Sequence, residues 1–137
     1  MRMLGDILLS GKHITEGQLG TALICQKREG VRLGRWFVNH GIISEETLFD
    51  AICDQYDAVA FSERELVDID GKVLENYDRE ALYEVKAIPL YVGSFYVVVA
   101  TADPAMFSLE AENIFGDKKV LLALIPEDLF ERVWADL

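Results

Sequence analysis

Leu4-Gly5 and Leu33-Gly34 open two stretches that share one pattern of residues. After the first pair come Ile14-Thr15-Glu16, Leu19, Ala22 and Gln26; after the second come Ile43-Ser44-Glu45, Leu48, Ala51 and Gln55. Leu4 to Leu33 and Gln26 to Gln55 are both steps of 29 residues, and no gap interrupts the register. The chemistry on offer is recognition of an anionic, flat ligand. A glycine near the start of a short helix has no Cβ, so a phosphate or a purine edge can approach unpaired backbone N–H groups. Arg32 can stack on a purine face, or fork onto guanine O6 and N7 or onto a phosphate. Leu19, Leu23, Leu48 and Ile52 offer apolar surface beneath a base, and Gln26 and Gln55 offer both a donor and an acceptor. Two copies of one helical unit make a two-fold-like surface, which suits a two-fold ligand. Packing alone accounts for the apolar positions, and a glycine also permits close helix contact. It accounts poorly for the repeated terminal Gln and for Arg-Leu-Gly.

Catalytic chemistry has no comparable signature. Gly5 and Gly11-Lys12 are too far apart for a phosphate-binding P-loop, and His13 stands where Ser or Thr is required. No Gly-x-Gly-x-x-Gly occurs. His13 and His40 have no Cys or Asp partner at metal-ligand spacing, so no metal site is expected. Glu45-Glu46 and Glu110/Glu112 read as helix-start and solvated-face charges rather than catalytic carboxylates. No nucleophile–base motif is visible, and the chain reads as a non-enzyme without a cofactor.

These residues sit in a chain of 137 residues that is 51% hydrophobic and carries a formal charge of −11. That charge disfavours DNA, RNA and anionic membranes as general partners. Its distribution is uneven, with Arg2, Lys12, Lys27, Arg28, Arg32 and Arg35 all early and the acidic excess after Glu45. Cys25 and Cys53 fall in apolar helical stretches at non-equivalent repeat positions, which favours buried free thiols and a reducing compartment. No run approaches the roughly 18 apolar residues of a membrane span, and Asp6 interrupts any leader-like start. The expected location is cytoplasmic, either free or at the inner-membrane face through a parent protein or partner.

The expected architecture is α+β. Residues 1–58 form a tandem-repeat helical subdomain of four short helices in two hairpins, which carries the ligand site. Helix 3–10 is followed by one that Thr15 and Gln18 start with a capping box and that runs to about Lys27. The second copy repeats this, with a short helix from Arg35 to Asn39 and one that Ser44 caps and that runs to about Tyr56. Residues 59–137 form an α/β sandwich of about three strands, on which the helical part packs. Leu66-Val67-Asp68-Ile69 reads as a short strand or extended lead-in, and Asp78 to Val85 as a helix ending before Pro89. Leu90-Tyr91-Val92 and Phe95 to Ala100 read as a hairpin around Gly93-Ser94. Asp103-Pro104 starts a helix, Val120 to Ile125 is a buried strand, and Pro126 opens the last helix.

Arg32-Leu33-Gly34-x-x-Phe37-Val38-x-x-Gly41-Ile42-Ile43, with Leu48, Ala51-Ile52 and Gln55, resembles the N-terminal domain of type II secretion and type IV pilus assembly ATPases. Ala87-Ile88-Pro89-Leu90, Phe95 to Ala100 and Ala102-Asp103-Pro104 resemble the α/β half of that domain, so the likeness covers the whole chain. In that family, tandem motifs of this form bind cyclic di-GMP. The resemblance implies that Arg32, Leu33, Gly34, Leu48, Ile52 and Gln55 contact one half of the ligand. Leu4, Gly5, Leu19, Leu23 and Gln26 would contact the other, with Arg2 nearby. It also implies a regulatory module joined to other domains of a larger parent, or docked on a membrane-machine subunit of a secretion, pilus or polysaccharide system.

The first copy departs from the pattern: Met3 stands in the place of Arg, Lys12 in that of the helix-break glycine, and Phe37 replaces a usual aliphatic in the second. A lost Arg contact costs about 1–3 kcal/mol. The rival expectation is therefore a degenerate member that docks a protein partner through an exposed apolar patch and binds no nucleotide.

Overall fold

A computed structural model describes residues 2–137. The chain divides into two compact units, one ending at Asp57 and the other spanning Ala58–Leu137.

The first unit is four helices: α1 (Leu4–Ser10), α2 (Glu16–Glu29), α3 (Leu33–Asn39) and α4 (Glu45–Tyr56). Thr15 starts α2 with the expected capping box: its Oγ1 accepts from Gln18 N at 3.1 Å and its N–H donates to Gln18 Oε1 at 2.9 Å. Ser44 starts α4 by accepting from Thr47 N at 3.0 Å. Helix α2 runs on to Glu29, where Gly30 at φ 69° ends it in the left-handed conformation. Helix α3 begins at Leu33, two residues earlier than expected, which places Arg32 at its N-cap. The two copies are joined crosswise, α1 packing on α4 and α2 on α3, and α3 also packs on α4 within its own copy. Burial repeats with the sequence: Ile7, Leu8, Ile14 and Ala22 of the first copy match Trp36, Phe37, Ile43 and Ala51 of the second, and all are core. Leu8 and Phe37 are fully buried, each contributing about 2–3 kcal/mol of apolar burial.

The second unit is built on a mixed sheet in the order β1-β4-β3-β2. Its strands are β1 (Val59–Ala60), β2 (Ala87–Val92), β3 (Tyr96–Thr101) and β4 (Lys119–Leu124). Helices α5 (Arg79–Glu84), α6 (Pro104–Phe115) and α7 (Glu127–Ala135) accompany it. Strands β2 and β3 form the expected antiparallel hairpin, while β3 and β4 run parallel across the α6 crossover. One face of the sheet packs Val97 and Val99 with Phe107, Phe115 and Leu82, and the other packs Ile88, Ala100 and Ala123 with Leu129 and Phe130. Thr101 is the buried polar side chain of β3, and it is satisfied. Its Oγ1 donates to Val85 O at 2.9 Å and accepts from Asp103 N at 3.0 Å.

Several details differ from the expected ones. The sheet has four strands among the described residues, since the two-residue β1 joins β4 in parallel. Leu66 to Ile69 is not a strand: Ser62 and Glu65 form a capping box that winds Glu63–Leu66 into a 3₁₀ turn, and Asp68 then takes φ 59°. Strand β2 starts at Ala87 and passes through Pro89, which an edge strand tolerates, with a register shift between Pro89 and Tyr91. The cysteines are free, as expected, but half-buried rather than buried.

Candidate functional site

Leu4, Gly5 and Leu19 of the first copy meet Leu33, Gly34 and Leu48 of the second at the starts of α1 and α3. Gly5 and Gly34 each occupy the second position of a helix, and both are buried. Their neighbours come from both copies. A methyl group placed on Gly5 would lie 2.9 Å from Leu19 Cδ1 and 3.7 Å from Leu33 Cδ2. One placed on Gly34 would overlap Leu48 Cδ1 and lie 3.1 Å from Leu4 Cδ2. Each copy's leucine thus covers the other copy's glycine, and the long helix of the same copy closes the contact. The immediate reason for both glycines is this close packing.

The starts of α1 and α3 also differ from most other helix starts of the chain. Thr15, Ser44, Asp78 and Asp103 cap their helices with side-chain oxygens, but Met3 and Arg32 supply no such bond. The first intrahelical bonds are Ile7 N to Met3 O at 3.2 Å and Trp36 N to Arg32 O at 3.0 Å. The N–H groups of the preceding residues, Leu4 to Asp6 and Leu33 to Arg35, therefore lie outside the helices' own ladders.

The remaining expected site residues continue along α2 and α4. Leu19, Leu23 and Gln26 follow one another at helical spacing beside the buried Ala22, as do Leu48, Ile52 and Gln55 beside Ala51. Leu48 is core, whereas Leu23 is 47% exposed and Gln26, Ile52 and Gln55 are half-buried. Arg32 is exposed at the N-cap of α3. Arg2 ion-pairs with Asp54 at 3.5 Å, next to Gln55.

Two features of this unit carry no sequence signal. Arg35 forks onto Glu45, with Nη2 to Oε2 at 3.2 Å, and that hydrogen bond holds the Glu45 carboxyl below its ordinary range. Trp36, in the position of Ile7, is buried with its Nε1–H unpaired and its ring stacked on His40 at 3.9 Å. Burial first, and then Asp50, push the Cys53 thiol up. Among the described residues, no three His, Cys, Asp or Glu side chains could hold a metal. No described helix is long and apolar enough to cross a membrane.

The fold has solved counterparts. The chain superposes on a structure of MshE with cyclic di-GMP at a TM-score of 0.85, covering 99% of both chains at 24% identity. It superposes on the N-terminal domain of XpsE at 0.52, covering 93% and 89% at 15% identity. The fold is therefore the one these domains share, a tandem helical unit followed by an α/β unit. No family model matches the chain. In sequence it is 32% identical over 103 residues to bacteriophage adsorption protein B of Escherichia coli K12, and equally to bacteriophage N4 adsorption protein B of Escherichia coli O157:H7. That stretch is 75% of this chain and 14% of each relative, so the chain spans a small part of the curated proteins it matches.

Proposed function

We propose that the helical unit is a regulatory receptor for cyclic di-GMP and that the chain is a non-catalytic module. The observation that carries this reading is the reciprocal Leu-Gly contact, which brings two equivalent, uncapped helix starts together. A two-fold ligand with two phosphates and two purines matches that arrangement. The likeness to MshE with cyclic di-GMP supports it independently. In this reading Arg32, Leu33, Gly34, Leu48, Ile52 and Gln55 hold one half of the ligand, and Leu4, Gly5, Leu19, Leu23 and Gln26 hold the other. Arg2 adds positive charge nearby. Bridging both copies fixes them relative to each other and shifts the equilibrium of whatever machine is attached. The length of the curated relatives supports a larger parent whose other domains are the partners. In this reading the module works in the cytoplasm or at the inner-membrane face.

Calorimetric titration of the full chain with cyclic di-GMP, with GTP as control, tests the proposal. Selective one-to-one binding, lost in Arg32→Ala and Gln55→Ala without loss of fold, is expected. No heat up to about 100 µM ligand, weaker than about −5.5 kcal/mol, would overturn it.

One observation favours a second reading, a protein-docking adaptor. Tyr91, Tyr96 and Leu121 share one sheet face next to Phe95, and all four are exposed, Phe95 at 83%. Such a patch suits a protein partner. A chain silent toward cyclic di-GMP whose partner binding fails in Phe95→Ser would establish that reading instead.

A further inference from the structure

We propose that the two half-sites are chemically unequal, and that this chain accepts the mixed cyclic dinucleotide, one guanine and one adenine, as well as cyclic di-GMP. This rests on the receptor reading above. The copies agree at Leu4 and Leu33, Gly5 and Gly34, Leu19 and Leu48, and Gln26 and Gln55, and they differ at the residue that the receptor reading sets against a base edge. The N-cap of α3 is Arg32; the N-cap of α1 is Met3, which is 68% exposed. Arg2 does not fill the place of the missing guanidinium. It lies one residue out of register with Arg32, and its side chain is drawn to Asp54 at 3.5 Å.

The consequence follows from the two purine edges. Guanine presents two acceptors, O6 and N7, to a guanidinium fork, whereas adenine presents N7 beside the N6 amino donor. Arg32 therefore selects guanine, and an adenine set against it leaves donor facing donor. A thioether has no donor to misplace, and it packs on the flat face of either purine. The mixed ligand has one orientation that satisfies both copies, with guanine at Arg32 and adenine at Met3. Cyclic di-AMP has none, because one of its adenines must meet Arg32.

Titration of the full chain with three ligands decides it: cyclic di-GMP, the mixed cyclic GMP–AMP and cyclic di-AMP. The mixed ligand is expected to bind within about threefold of cyclic di-GMP, and cyclic di-AMP about tenfold or more weakly. Met3→Arg, at an exposed position, is expected to weaken the mixed ligand about tenfold relative to cyclic di-GMP. Arg2→Ala is expected to leave the ratio of the two unchanged. A tenfold preference of the wild-type chain for cyclic di-GMP over the mixed ligand would overturn the inference while leaving the receptor reading intact. So would a Met3→Arg chain with an unchanged ratio. Failure of all three ligands to bind would overturn the receptor reading itself, and this inference with it.

Discussion

Leu4 of the first copy lies over Gly34 of the second, so that a methyl group on Gly34 would come within 3.1 Å of Leu4 Cδ2. Leu33 covers Gly5 in the same way at 3.7 Å, and the repeated Leu-Gly pair is thereby the joint between the two copies. Any ligand that spans the copies must act across this joint, which makes its tightness measurable as both stability and affinity.

Gly34→Ala is expected to destabilise the chain by about 1–2 kcal/mol relative to Gly5→Ala. Both substitutions gain about 1 kcal/mol of helix propensity, so the difference between them isolates the packing. At Gly34 the new methyl overlaps the buried Leu48, whereas at Gly5 it meets the half-buried Leu19 at 2.9 Å, a smaller overlap. Urea unfolding of the two variants checks this, and equal midpoints would contradict it.

Lys12 holds φ 59° at the position where the second copy has Gly41 at φ 70°. A side chain in the left-handed region costs about 1 kcal/mol or more. Lys12→Gly is accordingly expected to raise stability by about 1 kcal/mol. Gly41→Ala is expected to lower it similarly, although its methyl would meet nothing within 4 Å. Thermal unfolding of the pair would show shifts of opposite sign.

The long helices depend on their caps. Thr15→Ala is expected to cost about 1 kcal/mol, since it removes the bond to Gln18 N at 3.1 Å and breaks the reciprocal box. Helical circular dichroism followed through urea unfolding reports it. A midpoint equal to wild type would show that the box contributes nothing to α2.

The ion pair of Arg35 and Glu45 makes an acid-side contribution. The Glu45 carboxyl is lowered in the folded chain, first by its hydrogen bond from Arg35, so the unfolded chain binds the proton more readily. The contribution is therefore present above the ordinary Glu value of about 4.3 and is lost as pH falls below it. Both side chains are largely exposed, at 46% and 68%, which keeps the effect within about 1 kcal/mol. Unfolding midpoints of wild type and Arg35→Gln are expected to differ most near neutral pH and to converge near pH 3, about a unit below that value. A gap that persists at low pH would contradict this.

The sequence carries the local parts of this account well and the tertiary parts poorly. Thr15 with Gln18, Ser44, and Asp103 before Pro104 mark helix starts because capping is a contact over two or three residues. The 29-residue repeat reappears as repeated burial because equivalent residues face equivalent neighbours. Strand β1 escapes notice because two residues set no period, and only pairing with Ala123 and Leu124 makes them a strand. The crosswise packing of α1 on α4 is likewise silent, since apolar spacing says which face is buried and not against what. Among the site residues, the stripe of Leu19, Leu23 and Gln26 is legible as a helix face. The Arg2–Asp54 pair is not, because nothing local links the two residues.

In the receptor reading, one two-fold ligand bridges both copies of the repeat. Amide chemical-shift mapping of the ¹⁵N-labelled chain during titration with cyclic di-GMP would show it. The expected result is a coherent set of shifts at Gly5 and Gly34 and at the side-chain amides of Gln26 and Gln55, saturating together. Shifts confined to one copy or to residues 58–137, or no shifts at all, would contradict it.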